Sequence, residues 1–151
     1  MLFRSCLNRG AARVYAVDVG RGQLHPSLAA DPRVVGLEAT DARDLTQALI
    51  PEAPGLIVTD VSFIALAKAL PAALALAAPG ADLVALVKPQ FEVGRERVGK
   101  GGIVADPAAR AEAVAGVKAF LSDSGWTVHA SADSPIEGGD GAREVLLWAT
   151  R

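Results

Sequence analysis

Three residues stand where strand tips would present them and carry the groups that a proton transfer needs. Asp60 ends the run 56–60 (LIVTD) and is followed at once by Val61, Ser62 and Phe63. In a parallel sheet such a carboxylate points into the crevice over the strand C-termini, though it would serve equally as the N-cap of a following helix. Lys88 closes the apolar run 82–88 (DLVALVK) and precedes Pro89, which restricts it to extended geometry. A lysine at the end of a buried strand loses hydration, which lowers its pKa and suits it to general-base work. The plainer alternative is a lysine that lays its stem along the strand and keeps its charge in water. Glu144 opens the run 144–149 (EVLLWA) after the turn 137–142 (EGGDGA), where it either holds and polarises Lys88 or begins a surface strand.

A fourth carboxylate, Asp18, stands near the end of the run 13–19 (RVYAVDV). From a strand tip it can accept both hydroxyls of a ribose, or cap the segment after Gly20. Between Lys88 and Arg110 the basic residues outnumber the acidic ones, in a chain whose net charge is −2. Arg95, Arg97 and Lys100 lie on the glycine-rich part of this stretch and can meet phosphates, or lie solvated.

Other chemistries fail on spacing. The run 94–101 (GRERVGKG) matches G-x-x-x-x-G-K, but Gly101 replaces the Ser or Thr that holds Mg²⁺, and neither a strand nor a helix flanks it directly. His25 and His129 lack ligand spacing, so no metal is expected. The single cysteine, Cys6, excludes an internal disulfide and a cysteine-based zinc site. No Gly-x-Ser-x-Gly elbow occurs. No Gly-x-Gly-x-x-Gly precedes Asp18 at the expected spacing, which disfavours the alternative of a dinucleotide-dependent oxidoreductase.

The elements that must hold these residues alternate. Strands are expected at 13–19, 33–38, 56–60, 82–88, 126–131 and 144–149, mostly dense aliphatic runs of the kind buried in a parallel sheet. Helices are expected at 22–30, 42–49, 63–78 and 107–124. The last has Asp106 as N-cap, Pro107 at its first position and Gly125 beyond its end. The alternation predicts a doubly wound α/β sheet. The segment 89–105 has no regular signal, and a loop that long after a strand's C-terminal end favours function. The opening MLFRSCLNRGAA resembles the back half of a helix and its glycine turn, without the strand and Gly-rich turn that normally open such a domain. The expectation is a chain truncated at its N-terminus.

Composition agrees with a folded domain. The chain has 151 residues, 51% hydrophobic and 21% charged, with mean hydropathy +0.31, which excludes a disordered tail. The apolar stretch 63–78 contains Lys68 and Pro71 and is shorter than the roughly 20 residues that span a bilayer. The opening residues do not resemble a signal peptide, so a cytoplasmic protein with no membrane partner is expected.

The strings ARVYAVDVGRGQL, DPRVV followed by TDARDLT, TDVSFIAL, LVALVKPQFEVGRERVGKGGIVADP and SPIEGGDGAREVLLW resemble the haemolysin A (TlyA-type) ribosomal RNA methyltransferases, relatives of the FtsJ-type 2′-O-methyltransferases. The resemblance covers essentially the whole chain, 1–151, as one FtsJ-like domain. It implies a Rossmann-like α/β fold with helices on both faces of the sheet, S-adenosyl-L-methionine as cofactor, and methyl transfer to a ribose 2′-hydroxyl of ribosomal RNA. By motif it assigns Asp60, Lys88 and Glu144 to the family's catalytic Lys–Asp–Lys–Glu set, with Lys88 as base. Asp18 matches the acid that holds the cofactor ribose, Asp41 the position beside the adenine edge, and Asp60 also borders the cofactor. The first Lys, the first strand with its Gly-rich cofactor loop and the S4-type RNA-binding domain have no counterpart here, so a non-catalytic fragment is the alternative. Ala142 stands where the family usually has Asn, two residues before the final Glu.

Overall fold

The computed structural model describes residues 2–138 and 141–151. The chain divides into two compact units, Met1–Glu52 and Ala53–Arg151.

In the first unit, helix α1 (Leu2–Asn8) ends in a turn at Gly10, whose φ of 91° a side chain would strain. Strand β1 (Val14–Asp18) pairs in parallel with β2 (Val34–Glu38), placing Asp18 opposite Glu38. Between them runs the short helix α2 (Pro26–Ala29), and a 3₁₀ turn, Ala42–Asp44, follows β2. Both helices are shorter than their sequence patterns suggest. Pro26 can only open α2, because it lacks an amide hydrogen, and Asp41 caps a single turn that is not continued.

The second unit is a four-stranded sheet in the order β3-β4-β6-β5, with β3 (Leu56–Thr59), β4 (Asp82–Val87), β5 (Thr127–Asp133) and β6 (Val145–Thr150). β3 and β4 are parallel, as expected. β6 corrects the all-parallel expectation, since it runs antiparallel to both β4 and β5. The connection from β5 to β6 is too short for a crossover helix, and an antiparallel pair needs none. Leu83, Ala85 and Val87 of β4 and Leu147 and Ala149 of β6 are buried together with Val117 and Leu121 of helix α6 (Pro107–Asp123). Buried Ala109, Ala113, Val117 and Leu121 recur every four residues, one stripe of that helix. Its predicted ends hold: the Asp106 side chain accepts from the Ala108 amide at 2.9 Å, and Gly125 has φ 80°.

The single helix expected at 63–78 is instead α3 (Leu66–Ala69) and α4 (Pro71–Leu76), broken where Pro71 cannot continue the hydrogen-bond ladder. After β4 comes α5 (Pro89–Glu92), then 3₁₀ turns at Arg95–Arg97 and Lys100–Gly102, so the loop is more ordered than its sequence suggested.

Candidate active site

The parallel pair β3–β4 ends both strands side by side, with Thr59 opposite Ala85, and the chain leaves them through Asp60 and Lys88. Lys88 Nζ lies 2.6 Å from Asp60 Oδ1 and donates to Ser62 Oγ at 3.0 Å. The Lys88 side chain is only 13% exposed whereas Asp60 is 48% exposed, so an ammonium drawn in from water is fixed by one carboxylate and one hydroxyl at the surface. Two of its three hydrogen-bond directions are thereby assigned.

Glu144 precedes β6 and is buried. Burial raises its carboxyl above the usual range, the nearby Lys88 charge opposes that rise, and Asp60 adds to it. Asp60, Lys88 and Glu144 therefore share one electrostatic neighbourhood. In the turn before Glu144, Gly138 N donates to Ala142 O at 2.8 Å, and Ser134 N donates to Glu144 O at 2.8 Å. Gly139 and Asp140 of this turn lie outside the described residues.

Phe63 gave no signal in the sequence. Phe63 is 90% exposed and takes φ 66°, a left-handed conformation that is rare and strained for an aromatic residue. Its ring leans on Phe91 with centroids 5.1 Å apart. Ser62 is a further site residue, and the signal for it is its place two residues after a strand-end Asp, within reach of Lys88.

In the first unit, Asp18 is exposed, and its Oδ1 accepts from the Gly20 amide at 2.7 Å. A methyl group at Gly20 would sit 3.1 Å from that oxygen and 2.9 Å from Gln23 Cγ, so only glycine leaves the carboxylate uncrowded. Asp41 is engaged otherwise: Arg43 gives it two side-chain bonds, at 2.6 and 2.9 Å, and a backbone bond, holding its carboxyl down to about 2. On the loop after α5, Arg97 is committed to Glu112 at 2.5 Å, with Asp106 at 4.0 Å. Arg95 and Lys100 are exposed and form no ion pair among the described residues. Those residues contain no helix long and apolar enough to cross a membrane.

Comparison with known proteins bears on the family and the fold. The chain is 51% identical over 142 residues to the 16S/23S rRNA (cytidine-2′-O)-methyltransferase TlyA of Mycobacterium tuberculosis, covering 94% of this chain and 53% of that protein. The structure of a Streptococcus thermophilus protein assigned as a hemolysin superposes with TM-score 0.94 at 39% identity, over 99% of this chain and 55% of that one. N-methyltransferase NodS of Bradyrhizobium japonicum, solved with S-adenosyl-L-homocysteine, shares the fold at TM-score 0.66 and 16% identity, over 99% of this chain and 71% of that one. The chain spans about half the length of the curated relatives it matches. The model of the FtsJ-like methyltransferases matches residues 3–151, and the chain belongs to that family.

Proposed function

We propose that the chain is the methyl-transferring part of an S-adenosylmethionine-dependent ribosomal RNA 2′-O-methyltransferase, with Lys88 as general base. The observation that carries this reading is the Lys88 nitrogen, withdrawn from water and fixed by Asp60 and Ser62 at the tips of two parallel strands. A ribose hydroxyl is a poor nucleophile at neutral pH, so its proton must leave as the oxygen attacks. Lys88, once its ammonium has given a proton to solvent, takes the ribose proton on Nζ. Asp60 and Ser62 hold the amine in place, and Glu144 sets the charge around it. S-adenosylmethionine, when bound, supplies the methyl group as an electrophilic carbon on sulfur. Asp18, with one oxygen unbonded among the described residues and uncrowded at Gly20, fits the cofactor ribose. Asp41 fits the adenine edge less well while Arg43 occupies it.

The RNA side of the reading rests on the relative's rRNA substrate and on two local features. Phe63 presents an exposed ring one residue from Ser62, a surface on which an unstacked base can lie. Arg95 and Lys100, without an ion pair among the described residues, lie on the loop that follows Lys88 and suit phosphates. Incubation with methyl-labelled S-adenosylmethionine and ribosomal RNA, followed by nucleoside digestion, tests the proposal. A labelled 2′-O-methylnucleoside is expected, and label confined to base atoms would overturn it.

A further inference from the structure

Glu92 closes the sequence VKPQFE, and the reaction as proposed gives it no task. Its Oε1 accepts from the backbone amide of Leu66 at 2.9 Å. Leu66 opens α3, whose N-cap, Ala65, has no side chain able to cap it. The carboxylate thus reaches from α5 across to the segment that leaves β3.

This bond is the last of four contacts between the same two segments among the described residues. Asp60 meets Lys88, Ser62 meets Lys88, Phe63 meets Phe91, and Leu66 meets Glu92. The strained Phe63 is therefore bracketed, with Asp60–Lys88 tethering the chain before it and Leu66–Glu92 tethering the chain after it. A non-glycine residue stays at positive φ only where its surroundings over-determine it. Side-chain charge gives no other reason for Glu92 to be there. No cation pairs with it among the described residues, and Arg97, which lines the same cavity of about 270 Å³, is committed to Glu112. Half-burial without a counter-ion pushes its carboxyl upward, and the bond from the Leu66 amide opposes that rise.

We propose that Glu92 is a positioning residue, whose bond to the Leu66 amide holds Ser62 and Phe63 in register with Lys88 and so sets how the target nucleotide meets the base. The proposal rests on the function proposed above for Lys88 and Phe63, but its first test does not need that activity. Hydrogen–deuterium exchange across 61–66 is compared in the purified chain and in its Glu92→Ala, Glu92→Asp and Glu92→Gln variants. Asp keeps the charge but is one methylene too short, while Gln keeps an acceptor oxygen and loses the charge. Loss of the acceptor oxygen at that reach predicts that Leu66 protection falls about tenfold in the Ala and Asp variants, while Gln, which keeps a neutral bond, stays within about twofold. In the methylation assay the same two variants should show KM for RNA raised about tenfold, a larger change than in kcat, with Gln again close to the parent.

Wild-type protection of 61–66 in Glu92→Ala, or in Glu92→Asp should the Ala variant not fold, overturns the clamp. So does lost protection with unchanged KM and kcat in a chain that methylates RNA. A parent chain that methylates no RNA, with exchange behaving as predicted, contradicts the proposed function and upholds the clamp.

Discussion

Gly138 lies so close to Glu144 that a methyl group on its α-carbon would stand 2.5 Å from Oε1 and 3.0 Å from Cδ of that carboxylate. The turn before β6 thus has a second use besides reversing the chain: it seats the acid that faces Lys88 and Asp60. Substituting Gly138→Ala must push the carboxylate or the turn aside. A shift of about 1 Å at a reacting centre costs on the order of 10²-fold in rate, and that loss is expected with cofactor binding unchanged. Full activity in the alanine variant would show that the placement of Glu144 has no catalytic role.

Lys88→Met is expected to cut methyl transfer by about 10²–10⁴-fold, the usual contribution of a positioned base. Asp60→Ala should reduce both rate and cofactor affinity, because Asp60 also stands beside the methyl donor in the proposed site. Single-turnover rates with cofactor titrations separate the two effects, and normal turnover in Lys88→Met removes Lys88 from the mechanism.

The raised Glu144 carboxyl makes a prediction about stability. Its folded-state value lies above the unfolded one because burial disfavours the charge. The neutral form therefore stabilises the fold fully below the ordinary carboxylate range, and that contribution is lost as pH rises through the higher folded value. Glu144→Gln, which stays neutral, should melt at a higher temperature than the parent at pH 7, with the two curves converging in acid. A glutamine variant that melts lower at pH 7 would refute this.

The basic residues of the loop should separate into two kinds. Arg95→Ala and Lys100→Ala are each expected to flatten the salt dependence of RNA binding by about 0.7–0.9 of a slope unit. Arg97→Ala should leave the slope nearly unchanged, because its guanidinium already serves Glu112 and Asp106. Its effect should fall on stability, and for an exposed pair it should be small. Equal slopes lost at all three positions would contradict the pairing of Arg97.

Removal of the α6 cap by Asp106→Ala leaves the Ala108 amide without its acceptor. The expected cost is about 1 kcal/mol in chemical denaturation, and a change within error would deny Asp106 that function.

Residues whose positions follow from chain-local rules were legible in the sequence. Asp60 and Lys88 could be placed because aliphatic runs mark strands, and strand tips in a parallel pair lie together. Asp106, Pro107 and Gly125 marked the ends of α6 because capping is a local matter. The antiparallel direction of β6 was also present in the sequence, as a connection too short for a crossover. Phe63 was not legible, since nothing in an aromatic side chain announces a positive φ imposed by tethers 26 to 28 residues away. The pairing of Arg97 was hidden for a similar reason: its partner Glu112 lies on α6, outside the loop that carries Arg97.

The place of β6 in the sheet has a consequence for synthesis on the ribosome. As the strand between β4 and β5, it is translated after both of its neighbours, so β5 stays unpaired and β4 is paired on its β3 side alone until residues 145–150 have left the exit tunnel. Until then β4 and β5 offer open edges, which invite pairing with other chains. Glu144 directly precedes that strand, so Lys88 acquires its third acidic or hydroxyl neighbour only when the sheet closes. A stop codon just before β6 would remove the centre of the sheet rather than trim its edge, leaving an exposed and aggregation-prone fragment.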